Sequence, residues 1–264
     1  CPRGPQSLWF ERLPRGAIGS TPHSGCGCSW FESKRGSDPA AQQLSPQLSN
    51  LLHSHLHLNL NPVNSGRLLI VGTPIGNLSD LSPRACEALA SADLIAAEDT
   101  RRTGLLLQQL DLKKPLVSYQ KFNEASRETA LLERLKSGQT IALVTDGGMP
   151  GISDPGERII RAVRREGLLV EVVPGPSAVL HALVASGLPS LPFTFGGFLP
   201  PKPGPRKKEL LAAAERGHTS VYFESPHRIV RTLGEATELL PPEARLAVCR
   251  ELTKKFEEVF VGTP

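Results

Sequence analysis

From Arg67 onward, short apolar runs alternate with stretches of helical period, and that alternation restricts the chain to a small set of folds. The apolar runs are 68–71, 94–97, 141–144 and 168–173. Between them lie helical stretches at 83–91, 100–110, 124–136 and 155–166. A strand–helix–strand order of this kind predicts a mostly parallel α/β sheet. Ser82-Pro83, Asp154-Pro155 and Ser225-Pro226 each place a capping oxygen just before a proline. Such an oxygen accepts from an orphan backbone N–H, and proline fits the first helical position, where its missing donor costs nothing.

The Gly/Pro-rich segment 187–192 breaks the pattern. After it the sequence predicts strands at 193–198, 219–223, 245–250 and 256–261, and helices at 205–215 and 226–239. The expected organisation is therefore a first α/β domain over 67–188 and a smaller mixed α/β domain over 189–264. Residues 1–66 hold ten Ser and three acids with no sustained period, which predicts a disordered extension or a transit-peptide-like leader. A leader of that kind implies a plastid or other organelle, and without one a bacterial cytoplasm. The first residue is Cys and the last motif is incomplete, so a fragment is expected, with the second domain truncated and its sheet left with an unpaired edge.

Three Gly/Pro-rich loops fall at carboxyl ends of predicted strands, where open α/β sheets bind ligands. They are 71–77, 145–156 and 174–178. The loops contain no Lys or Arg but carry Asp146 and Asp154, and Glu98-Asp99 ends a neighbouring strand. Neither a P-loop lysine nor a Gly-x-Gly-x-x-Gly fingerprint is present in the first loop. A neutral-to-acidic site suits a cationic ligand with ribose hydroxyls better than a phosphate, and S-adenosylmethionine has that chemistry. The formal charge of +4 permits an anionic partner without requiring one. Five irregularly spaced cysteines predict a reducing compartment and no disulfide framework, no metal site is assigned, and no apolar run is long enough to span a membrane.

Several multi-residue motifs, in order, resemble the ribosomal RNA small subunit methyltransferase I family. They are Val71-Gly72-Thr73-Pro74-Ile75-Gly76-Asn77-Leu78, Ala97-Glu98-Asp99-Thr100-Arg101, Pro174-Gly175-Pro176-Ser177-Ala178, Gly197-Phe198-Leu199-Pro200, Phe223-Glu224-Ser225-Pro226-His227-Arg228 and Arg250-Glu251-Leu252-Thr253-Lys254. The resemblance implies a two-domain fold like that of the tetrapyrrole methylases, with S-adenosylmethionine in the cleft between domains. It implies methyl transfer to the ribose 2′-hydroxyl of a cytidine in the decoding region of small-subunit rRNA. Cofactor contacts then fall to Pro74, Asp146, Met149, Ser177, Ala178 and Phe223, with the loop neighbours Thr73, Ile75, Gly76, Gly147, Gly148, Pro150 and Gly175. In the family's second loop, which reads Ser-Asp-Ala-Gly-Thr-Pro, Met149 stands in place of the threonine hydroxyl.

Glu98, Asp99 and His227 are the candidates for the proton acceptor, with capping of the next helix as the competing role of the Glu98-Asp99 pair. Arg101, Arg102, Lys202, Arg206, Lys207, Lys208 and Arg228 are the candidate RNA contacts. The expected partner is small-subunit RNA or the assembled subunit, with neither DNA nor membrane, and a homodimer is the assembly the resemblance allows. Three alternatives remain open on the residues: methylation of a tetrapyrrole or protein side chain, a nucleotide-binding oxidoreductase, and a paralogue that keeps the fold without the activity.

Overall fold

The first element of the chain is a strand, β1 (Gln6–Glu11), and its partners lie more than 200 residues downstream, at Glu224 and Cys249 among others. The structure, a computed structural model, describes residues 6–11 and 66–264. The histidine run 53–57 and the Cys26/Cys28 pair lie outside the described residues.

A five-stranded parallel sheet comprises β2 (Arg67–Val71), β3 (Leu94–Ala97), β4 (Leu116–Ser118), β5 (Ile141–Val144) and β6 (Leu169–Val173). Its order is β4-β3-β5-β2-β6, with every neighbouring pair parallel. The helices are α1 (Pro83–Ser91), α2 (Thr100–Gln109), α3 (Glu124–Lys136) and α4 (Glu157–Arg165). Strand residues alternate between the two faces. Leu68, Ile70, Ala96, Ile141 and Leu143 pack with Leu131, Leu135, Ile159 and Val163 of α3 and α4. Leu69, Val71, Ile95, Ala97, Ala142 and Val144 pack with Ala85, Ala88, Leu89 and Leu107 of α1 and α2. Both faces are covered, which is why these strands read as unbroken apolar runs. Each fully buried Leu, Ile or Val stabilises the fold by roughly 1.5–3 kcal/mol before chain entropy is subtracted.

Ser82 caps α1 as expected: its hydroxyl accepts from the Ala85 N–H at 3.1 Å, and Pro83 opens the helix. Asp154 does not cap α4. That helix starts at Glu157, two residues beyond the expected Pro155, behind Gly156 at φ 141°. At Ser225-Pro226 a turn intervenes, in which Ser225 Oγ accepts from the His227 N–H at 3.3 Å, and the helix begins at Ile229.

The second sheet comprises β7 (Phe193–Phe198), β8 (Thr219–Glu224), β9 (Arg245–Arg250), β10 (Glu258–Gly262) and β1, in the order β10-β9-β1-β8-β7. Only β7 and β8 run parallel. One face carries α6 (Pro203–Glu215) and α7 (Ile229–Leu239), with Leu210, Ala213, Ile229 and Ala236 against Tyr222 and Leu246. The other carries α5 (Ala178–Ser186), with Val179, Ala182 and Leu183 against Val221, Phe223, Ala247 and Cys249. Two expectations change here. Residues 6–11 of the extension are a strand, and they sit between β8 and β9, closing the middle of a sheet that 189–264 alone leaves split. The helix α5, expected with the first domain, packs on the second sheet. No helix among the described residues is long and apolar enough to cross a membrane.

Candidate active site

Three loops leave the carboxyl ends of β2, β5 and β6 and are fastened to one another by their backbones. Thr73 N–H donates to Gly148 O at 3.0 Å, and Gly148 N–H returns a bond to Thr73 O at 2.9 Å. Thr73 Oγ1 donates to Thr145 O at 3.0 Å. Gly72 and Gly175 meet without side chains: a Cβ on Gly72 would lie 2.6 Å from Gly175 Cα and 2.6 Å from Met149 Sδ. Contact this close excludes any other residue, which accounts for two of the glycines that the sequence left as generic loop formers.

The first loop also docks on the turn after β9. Asn77 N–H donates to Thr253 Oγ1 at 3.0 Å, and a Cβ on Gly76 would come within 2.8 Å of Leu252 O. The loops of the parallel sheet and the edge of the second sheet thereby enclose a cavity of about 530 Å³. That volume suits a cofactor-sized ligand.

Of the predicted cofactor contacts, Pro74, Ile75, Gly76, Asp146, Gly147, Gly148, Met149, Ser177, Ala178 and Phe223 line this cavity. Thr73 is buried behind the wall as a loop tie, and Gly175 is the backbone partner of Gly72. Pro150 is buried outside the lining. Met149 lines the cavity while also packing against the core cluster under α3 and α4. Ser177 caps α5, its hydroxyl accepting from the Leu180 N–H at 3.4 Å. The lining includes residues absent from the predicted set: Ile152, Asp154, Val179, Phe198, Glu251, Leu252 and Lys254. Phe198, Glu251, Leu252 and Lys254 lie inside motifs already noted, and Asp154, a carboxyl of the second predicted loop, also matches a helix cap because a proline follows it.

The Glu98-Asp99 pair divides. Asp99 is the N-cap of α2, accepting from Arg101 N–H at 2.9 Å and pairing with the Arg101 guanidinium at 2.8 Å. Those bonds hold its carboxyl well below the usual range. Glu98 lines the cavity instead. Burial pushes its carboxyl up, against the pull of the Asp146 N–H that donates to it at 3.3 Å. Burial, the Glu98 charge and the Asp146 charge push Asp154 up to about 6, while Lys121 acts in the opposite sense. Three carboxyls sharing one partly desolvated wall form a site that favours a cation or holds a proton. Asp146 pairs through one oxygen with Arg102 at 2.8 Å, while its Oδ1 and the neighbouring Thr145 Oγ1 are buried with no protein partner.

His227 is exposed on the turn after β8 and does not line the cavity. The basic candidates separate in the same way. Arg206 is 1% exposed, with Nε and Nη2, one edge of its guanidinium, donating to the Glu235 carboxylate (2.8 and 2.7 Å) and Nη1 donating to Pro201 O. It is a core ion pair with no surface to offer an RNA, which corrects its place in the predicted cluster. Arg228 is tied to the buried Glu224 at 2.6 Å. Lys207 lies 3.7 Å from Glu238, and Lys202 and Lys208 are exposed on α6 and at its start. Arg101 and Arg102 stand on the first turn of α2, and Arg102 borders the cavity.

Residues 67–263 match the family described as Tetrapyrrole (Corrin/Porphyrin) Methylases. Curated relatives named ribosomal RNA small subunit methyltransferase I are similar over most of both chains. The one from Synechocystis sp. is 46% identical over 198 residues, 75% of this chain and 71% of its own length. That from Mycobacterium tuberculosis (strain H37Rv) is 48% identical over 203 residues, 76% and 71%. That from Bacillus subtilis is 47% identical over 198 residues, 75% and 68%. Among solved structures, a uroporphyrin-III-C-methyltransferase from Thermus thermophilus matches with a TM-score of 0.52 at 25% identity, over 75% of this chain and 85% of that one. A cobalt precorrin-4 methyltransferase matches with a TM-score of 0.56 at 20% identity, over 75% and 85%, and shares the fold. By its fold, its cleft and these matches, the chain belongs to the tetrapyrrole methylases and, among them, to the ribosomal RNA small subunit methyltransferase I family.

Proposed function

We propose that the chain transfers the methyl group of S-adenosylmethionine to the ribose 2′-hydroxyl of a cytidine in the decoding region of small-subunit RNA. The observation that carries the cofactor is Asp146, which lines a cavity of about 530 Å³ at the junction of three loops and whose buried Oδ1 has no protein partner. A buried acceptor without a donor is costly, and an ammonium or ribose hydroxyl from a ligand would satisfy it. The residues fit the cofactor in charge as well, since Glu98, Asp146 and Asp154 face the cavity and a sulfonium and an ammonium are both cations. When bound, S-adenosylmethionine supplies an already electrophilic methyl, so the work left to the protein is chiefly alignment.

Asp146 then orients the ligand's polar end, and Met149, Ile75 and Phe223 offer apolar contact to a planar base. Phe223 is itself braced by Phe195 and Phe198, with ring centroids at 5.0 and 5.4 Å. Glu98 accepts the hydroxyl proton: it lines the cavity, and burial raises its carboxyl above the ordinary value, which makes it a better base. The RNA substrate is supported by the curated relatives, whose names specify small-subunit rRNA.

The test is incorporation of labelled methyl from S-adenosylmethionine into small ribosomal subunits, followed by nuclease digestion to locate the label. Label on a cytidine ribose is expected, with Asp146→Ala weakening cofactor binding about 10- to 150-fold, the loss typical of a charge-assisted bond. Label on a base, or transfer to a tetrapyrrole in preference to RNA, would overturn the reading.

A further inference from the structure

The turn between β4 and α3 carries an exposed phenylalanine that neither core nor cleft uses. Phe122 is 85% exposed, the most exposed of the large apolar side chains among the described residues. The turn that bears it is held on both sides. Gln120 N–H donates to Asn123 Oδ1 at 2.7 Å, and Asn123 N–H donates to Gln120 O at 2.9 Å. Gln120 Nε2 donates to Glu98 O at 2.9 Å, and Lys121 Nζ donates to Ser153 O at 2.7 Å. Glu98 lines the cavity, and Ser153 lies between Ile152 and Asp154, which line it too. Phe122 thus directly follows two residues whose side chains grip the rim of the cleft. A single exposed apolar residue is ordinarily unremarkable. This one is an aromatic ring held out by a hydrogen-bonded turn at the mouth of a binding site.

The charges around it fit a polyanion. Lys121 is the preceding residue in the chain, and Arg101 and Arg102 occupy the first turn of α2, just after Glu98 and the N-cap Asp99. Arg102 lines the cavity and pairs with Asp146, and Lys121 holds Ser153 O between two lining residues, so both cations stand at the rim of the cavity. The interior of the cleft is acidic and its rim basic, the arrangement expected where a cationic cofactor sits inside and a phosphate chain crosses outside. Single-stranded RNA is gripped by cations on its phosphates and by aromatic rings on its bases.

We propose that Phe122 is a stacking platform for an unpaired RNA base at the mouth of the cleft, with Lys121 and Arg101 on the neighbouring phosphates. This deepens the RNA reading above and rests on it. The platform takes a nucleotide next to the one being modified, because Phe122 stands outside the cavity lining. Stacking on a ring does not distinguish bases, so the platform contributes affinity and placement but not sequence preference.

The test uses the full chain and a single-stranded RNA oligonucleotide, with S-adenosylmethionine titrated separately. Phe122→Ala should weaken RNA binding about five- to hundredfold, the range for loss of one stacked base, and leave cofactor affinity unchanged. Phe122→Trp should retain RNA binding, and its added emission, read against the background of Trp9 and Trp30, should be quenched by the RNA. Val230→Ala removes another exposed apolar side chain, 80% exposed on α7, and should change neither. If the wild type binds RNA and Phe122→Ala binds it equally well, or the tryptophan is not quenched, the platform is wrong and the RNA reading stands. If Phe122→Ala loses only its hold on intact subunits, the ring contacts a protein and the stacking is overturned. Failure of the wild type to bind RNA or to methylate subunits overturns the functional reading itself.

Discussion

Replacing Asp154 by Asn isolates the cost of keeping an ionised carboxyl in the cleft. Burial, then the Glu98 charge, raises the Asp154 carboxyl from an ordinary 3.8 to about 6. The gap of roughly 2 pH units, at about 1.36 kcal/mol each, sets a ceiling of roughly 3 kcal/mol. Asp154 is only partly buried, and solvent screening lowers that to about 1–2 kcal/mol. The folded chain holds this proton more tightly than the unfolded chain does. Its contribution to stability is therefore complete below about pH 4 and is lost as pH rises through about 6. Asn stays neutral throughout. In urea unfolding, Asp154→Asn should match the wild type near pH 4 and be more stable by about 1–2 kcal/mol near pH 7.5. A bound cation would draw the wild-type proton off, so cofactor binding near pH 6 should release protons from the wild type and fewer from the variant. A stability gap of equal size at both pH values, or no gap near pH 7.5, refutes the reasoning.

Two further outcomes follow from the packing. Arg206→Ala leaves Glu235 in the core with the exposed Arg231, 3.3 Å away, and the more distant Lys207 to compensate. It should cost about 3 kcal/mol in chemical denaturation while leaving RNA affinity per folded molecule unchanged, whereas Lys208→Ala should leave stability within about 0.5 kcal/mol. Gly175→Ala puts a methyl 2.7 Å from the Gly72 backbone. It should destabilise the chain by about 1–3 kcal/mol and weaken cofactor binding in calorimetry, because the loops that part are the cavity wall.

The parallel sheet was legible because its strands are buried on both faces and stand out as apolar runs between amphipathic stretches. The motif glycines were legible as loops, though their purpose was not. Only the structure shows that Gly72 and Gly175 touch each other and that Gly76 meets the turn at Leu252–Lys254. The Glu98-Asp99 pair shows the limit at a single site. Both residues have the same chemistry and adjacent positions, and the strand-to-helix corner sends one into the cavity and the other onto the N–H of Arg101. Asp154-Pro155 matches a helix start in every local respect, yet the loop carries Asp154 into the cleft and the helix opens at Glu157.

By itself the sequence determined what local periodicity and short motifs encode: the α/β class, the order of elements from Arg67, the loops that line the cavity and the family. Tertiary structure alone decided what depends on distant partners. It placed Gln6–Glu11 between β8 and β9, because strand pairing is made by backbone groups and leaves little trace in side-chain pattern. It turned Arg206 inward to Glu235, because charge in a sequence carries no direction, and 29 residues separate that arginine from the carboxylate that makes its burial tolerable.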